Sequence, residues 1–199
     1  LDGYLAMEPG ILEHCNDALR GMESYGCAVA VTKFRMPPER VWDAWLVWRH
    51  FLVSAGLAPL VANPSRRELM KPEALWEVDM GLRVTGPQIT EASAERTAFY
   101  SSITAMFDHF DVLALPTAQV WPFDVTERWP HHIGDREMDT YHRWMEVVSY
   151  ATFAGLPAIS VPVGFDDRGL PMGMQLIGPP RGDVALLRIA RAYEAMLDR

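Results

Sequence analysis

The stretch from Ala151 to Pro180, ATFAGLPAISVPVGFDDRGLPMGMQLIGPP, leaves the chain few ways to fold. Helical spacing upstream ends at Gly155, a residue suited to the left-handed position just past a helix, and Pro157 stops the helix from resuming. From Ala158 to Phe165 one face carries Ile159, Val161, Val163 and Phe165, while the other carries Ala158, Ser160, Pro162 and Gly164. The branched face is expected to be core. The small face invites close approach by another element, and Pro162, lacking an N–H, requires an edge or a bulge. Asp166 to Gly169 form the connection, with Gly169 available for positive φ. Leu170 to Ile177 then runs back, so the whole reads as a β-hairpin delivered by a helix.

The remaining chain supplies layers for that hairpin. Pro9 to Tyr25 places Leu12, Cys15, Leu19 and Met22 on one helical face, and Cys27 to Phe34 (CAVAVTKF) reads as a short buried strand. Glu39 to Ala55 is a second helix carrying Trp42, Trp45 and Trp48, expected to be buried between layers. Pro59 to Pro87 has no strong period and reads as irregular connecting structure. Thr90 is expected to cap a helix whose face is Phe99, Ile103, Met106, Phe107 and Phe110. That helix feeds a strand from Asp111 to Leu115, apolar without alternation, as in a strand buried on both faces of a partly parallel sheet. Its C-terminal end, at Pro116, Thr117 and Ala118, is where open α/β sheets bind ligands. Gln119 to Glu137 is a long loop whose Trp121, Phe123 and Trp129 argue for a folded lip. Met138 to Ala154 is the helix into the hairpin, and Asp183 caps a last amphipathic helix. The predicted fold class is α/β, a mixed β-sheet flanked by helices, with residues 1–199 forming one domain or a large part of one.

Composition narrows the function classes. A formal net charge of −8 with scattered Lys and Arg argues against a nucleic-acid partner. No uninterrupted apolar run approaches the roughly 18 residues of a membrane span, so no membrane partner is expected. Cys15 and Cys27 show no CxxC spacing and read as buried free thiols of a reducing, cytoplasmic compartment. His131, His132, Asp135, Asp139 and His142 are suitable ligand types, but without HExxH or comparable spacing a polar loop is the better reading, and no metal or cofactor is assigned.

The run AGLPAISVPVGFDDRGLPMGMQLIGPP closely resembles the C-terminal strand pair of the amidase signature family, as does DVLALPT at Asp111 to Thr117. The resemblance implies the amidase signature fold and a hydrolase of carboxamides. That family uses a serine nucleophile, a second serine in a cis peptide and a lysine, because a hydroxyl needs a base and the oxyanion needs converging N–H donors. By that family's layout the segment bearing them is expected N-terminal to everything seen here, so the resemblance implies that the chain is the C-terminal portion of such an enzyme, with the missing N-terminal part of the same protein as its partner. Within the sequence, Lys33 and Lys71 precede no Gly/Ser-rich loop, Ser101 and Ser102 lie mid-helix, and Ser160 is enclosed by Ile159 and Val161 in a strand. No catalytic residue is therefore assigned.

Substrate-binding candidates are Thr117, Trp121, Phe123 and Met145. In family members that use glutamine as ammonia donor, an acidic residue near the start of the helix before AGLP is expected to hold the substrate's amino group. The matching place here is Met145, with Glu146 adjacent but about 100° around a helix. Together with the aromatic lip this favours an apolar or aryl amide. The expected function is the C-terminal part of a carbon–nitrogen hydrolase, contributing scaffold and pocket wall and inactive alone. The alternative is a noncatalytic binding or scaffold module derived from the same fold. Alone, such a chain is expected to self-associate through sheet edges and core faces.

Overall fold

The computed structural model describes residues 3–197. They divide into two compact units, one comprising residues up to Arg35 together with those from Ser102 onward, the other Met36–Ser101.

The first unit is built on a three-stranded sheet of order β1-β5-β4, with β1 at Leu113–Pro116, β4 at Ala158–Phe165 and β5 at Pro171–Ile177. Both pairings are antiparallel. The expected hairpin is present, and β4 has the predicted limits. Val161 of β4 with Met174 and Leu176 of β5 make the inner face, covered by Cys15 and Met22 of helix α1 (Ile11–Ser24) and by Leu186, Ala190 and Tyr193 of helix α7 (Asp183–Leu197). Tyr193 satisfies its buried hydroxyl on the Pro162 carbonyl at 2.6 Å. Pro162 lies on the edge strand, where the register shifts before Gly164. The bulge and the nearby turn also explain why Phe165 is exposed, not core as its alternation predicts. In the connection, the Asp166 carboxylate accepts from the backbone N–H of Arg168 and Leu170, at 2.9 and 2.8 Å, and Gly169 adopts φ 78°.

Other expectations fail in instructive ways. Residues 27–34 form no strand and lie almost wholly exposed, with Val31 fully so; the run is strand-like, but a strand exists only where a partner ladder meets it. Cys27 is consequently exposed, whereas Cys15 is buried and its thiol is pushed up to about 11 by desolvation. The helix expected from Met138 begins only at Arg143. Its first part, Arg143–Val148, is a 3-10 turn with Met145 out of helical geometry, followed by α6 at Ser149–Ala154 and a left-handed Gly155. Within the long loop, β2 (His132–Ile133) and β3 (Arg136–Glu137) pair as a small hairpin around Gly134, which has φ 56°.

The second unit is helical. Helix α2 (Pro38–Val61) runs six residues beyond the expected Ala55 and straight through Pro59; the Ala55 carbonyl, which loses its i+4 donor there, is on an exposed residue that water reaches. The short α3 (Pro64–Arg67) is capped by Asn63, and α4 (Pro72–Gly81) packs against α2. Trp42 is buried and stacks on the half-buried Trp45 at 5.0 Å. By length and mean hydropathy α2 would suffice to cross a membrane, a property that counting uninterrupted apolar runs conceals because Arg49 and His50 sit mid-helix. Both are held by the buried Glu77 of α4, at 2.9 and 2.7 Å. Helix α5 (Gly86–Thr104) starts not at Thr90, which bonds back to the Gly86 carbonyl, but after a Thr85/Gln88 pair in which the Gln88 side chain accepts the Thr85 N–H at 2.8 Å.

Candidate functional site

The chain after β1 is where polar side chains converge. Pro116 ends the strand opposite Met174, and Thr117 continues the ladder by donating its N–H to the Gly173 carbonyl at 2.9 Å. The Thr117 hydroxyl meets that of Ser160 at 3.0 Å. This meeting requires a bare Gly173: a Cβ there would lie 2.6 Å from the Ser160 hydroxyl and 3.0 Å from that of Thr117. Ser160 is thus not enclosed by its strand neighbours as its sequence suggests. Strand alternation turns it to the small, exposed face, away from Ile159 and Val161.

Two buried glutamines tie the 3-10 turn to this strand end. Gln175 of β5 donates both amide hydrogens, to the carbonyls of Pro116 (2.9 Å) and Val147 (3.0 Å). Gln119 accepts the Val147 N–H at 3.0 Å and donates to the Ala6 carbonyl at 2.9 Å. Both polar groups of the Val147 peptide are therefore taken by side chains, which accounts for the 3-10 geometry where a continuous α-helix was expected.

Beside Met145 lies a buried charge network. Glu146 is fully buried and accepts from Arg143 at 2.9 Å and from the Tyr150 hydroxyl at 3.1 Å. Arg143 also forks onto both carboxylate oxygens of Asp139 at 2.9 and 2.8 Å. Desolvation raises the Glu146 carboxyl above its ordinary range, against the pull of Arg143 and Tyr150. Burial alone would lower the Arg143 guanidinium, but its bonds to Asp139 and Glu146 outweigh that and raise it. The hydrogen bonds from Arg143 hold Asp139 below the usual range.

The linkage has a sign that can be tested. A raised folded-state value means that Glu146 contributes stability fully below its unfolded value and loses it as pH rises through the folded one. The stability of the native chain relative to Glu146→Gln is therefore expected to fall as pH rises from the ordinary carboxylate range through the raised folded-state value, read by denaturant unfolding at each pH. Asp139 has the opposite sign, lending stability that is lost as pH falls through its lowered value, and it remains in both proteins. A difference that rises with pH would contradict the assignment.

The four expected binding residues occupy distinct settings. Thr117 is half-buried at the strand end, and Met145 is half-buried at the non-helical point of the turn. Trp121 is buried: its backbone N–H donates to Glu8 at 2.6 Å, its indole N–H donates to the Pro9 carbonyl at 3.0 Å, and its ring packs with Ile11 and Met172. Phe123 is partly exposed and edge-on to Trp144 at 5.4 Å. The polar residues of the lip are engaged separately, His131 against Trp129, His142 against Tyr141, and Asp139 on Arg143. Among the described residues no group of three or more His, Cys, Asp or Glu is placed to hold a metal. Sequence reasoning set Ser160 aside as enclosed and missed Gln119 and Gln175; for Gln175 the signal was a glutamine inside an otherwise buried strand, which must find partners there, whereas Gln119 lies in the loop after β1.

The family model described as Amidase matches residues 2–187, and the chain belongs to that family. Among curated relatives, a fatty acid amide hydrolase of Medicago truncatula is 39% identical over 195 residues, spanning 94% of this chain and 30% of that protein. One component of the glutamyl-tRNA(Gln) amidotransferase of Myxococcus xanthus (strain DK1622) is 39% identical over 103 residues, spanning 52% of this chain and 20% of that protein. The chain thus spans less than a third of the length of either. In fold it resembles a bacterial aryl acylamidase of the amidase signature family, with a TM-score of 0.83 at 23% identity, over 98% of this chain and 41% of that one.

Proposed function

We propose that the complete protein hydrolyses carboxamides through an acyl-enzyme, with apolar or aryl amides as substrates, and that this chain contributes scaffold and pocket wall at Thr117, Trp121, Phe123 and Met145 but no nucleophile. The observation that carries this reading is the pairing at residues 145 and 146. The residue presented at the turn is Met145, while the neighbouring acid, Glu146, is fully buried on Arg143 and Tyr150. A substrate ammonium would find no carboxylate at Met145 itself, whereas an apolar group meets a pliable thioether. The available hydroxyls support a passive role: Ser101 bonds back to the Thr97 carbonyl at 3.1 Å, and Ser160 is matched with Thr117.

Release of aniline from an N-acyl anilide, and of ammonia from glutamine, is to be measured with the complete protein and with the 199-residue chain alone. Turnover of the anilide by the complete protein only is the expected result. Turnover by the chain alone would overturn the missing nucleophile, preference for glutamine would overturn the substrate class, and inactivity of the complete protein would favour the noncatalytic scaffold module.

A further inference from the structure

We propose that Gln175 is a positioning residue that sets the spacing between the Thr117 end of β1 and the Met145 turn, and through it the size of amide the site admits. The inference rests on the hydrolase reading above and deepens it. A buried glutamine needs partners somewhere, and one satisfied within its own strand would carry no such meaning. Gln175 instead spends both hydrogens of one amide nitrogen on two different segments, the Pro116 carbonyl at 2.9 Å and the Val147 carbonyl at 3.0 Å. The first is the residue before Thr117, and the second lies two residues after Met145.

Further bonds stiffen both sides of this bridge, and Gln119, two residues past Thr117, joins the same two segments. Thr117 is fixed to the sheet through the Gly173 carbonyl and through Ser160. Val147 is fixed through its N–H to Gln119, whose own amide is bonded to the Ala6 carbonyl. Among the described residues the Gln175 amide is the polar link from the sheet to the turn's carbonyl, with Gln119 holding the N–H of the same peptide, and the reach of Gln175 helps to determine how far the turn stands from the strand end. A methionine there would fill nearly the same volume without either bond. A glutamate would place carboxylate oxygen against two carbonyl oxygens at neutral pH, and on protonation would recover one donor.

The test compares the complete wild-type protein with Gln175→Met and Gln175→Glu, using an N-acetyl and an N-octanoyl anilide. The Met variant is expected to change the ratio of the two KM values by about fivefold or more, with kcat for each held within about twofold. The Glu variant is expected to show the same change at neutral pH and to move back toward wild type as the medium is acidified. Gln175→Asn keeps the amide but draws it back by one methylene, and it is expected to shift the same ratio if the Met variant does not fold. A merely structural glutamine predicts something else: kcat/KM falling in equal proportion for both anilides, tracking the folded fraction, with the KM ratio unmoved and no recovery in acid. That outcome would overturn the positioning role while leaving the hydrolase reading intact. Wild-type protein that cleaves neither anilide would remove both.

Discussion

Replacing Gly81 by alanine is expected to destabilise the helical unit by about 3 kcal/mol or more. Gly81 ends α4 where it crosses α2, and a Cβ at this position would lie 2.2 Å from the His50 carbonyl oxygen and 2.3 Å from the Ser54 Cβ. Neither atom sits at the end of a flexible side chain, so relief requires the helices to separate. Separation in turn stretches the bonds by which Glu77 holds Arg49 and His50, leaving a carboxylate with 1% exposure short of partners. Denaturant unfolding followed by far-UV circular dichroism reads the effect. Loss of less than about 0.5 kcal/mol, the range of an ordinary surface change, would mean that α2 and α4 do not approach this closely.

Trp121→Ala is expected to cost about 4 kcal/mol in the other unit, as large-to-small changes of buried aromatic residues do. The indole fills a small core with Ile11 and Met172, stands edge-on to His14 at 5.4 Å, and fits over Gly10, where a Cβ would be 3.5 Å from the ring. Its N–H also satisfies the Pro9 carbonyl. Trp121→Phe keeps most of the apolar area and is expected to cost only the hydrogen bond and the smaller volume, about 1 to 2 kcal/mol. Thermal or urea unfolding of both variants separates these contributions; equal losses would assign the whole effect to the hydrogen bond.

The stretch from Ala151 to Ile177 is readable because each of its signals acts over a few residues: Gly155 past a helix end, a period of two along the strands, and Asp166 folding back on its own turn. The readings that fail depend on distant partners. CAVAVTKF has strand-like composition, but composition cannot supply a neighbouring ladder. The Arg143–Val148 turn reads as helical because the amides that claim Val147 come from Gln119 and Gln175, each 28 residues away. Phe165 follows the alternation of its strand until a bulge shifts the register. At the site, Thr117 is legible as the end of an apolar strand, whereas its meeting with Ser160 across a bare Gly173 joins three segments that no local pattern connects.

The proline and bulge of β4 also bear on how the sheet meets other strands. β4 forms one margin, and there a missing N–H and a break in register spoil the regular ladder that an incoming strand would need. β1 forms the other margin, and because the Thr117 N–H bonds β5, the alternate residues Ala114 and Pro116 face outward, so a proline without an N–H stands on this edge as well. Both margins of the sheet are therefore blunted by the same device, an edge proline that offers no N–H, which limits edge-to-edge pairing with a second sheet.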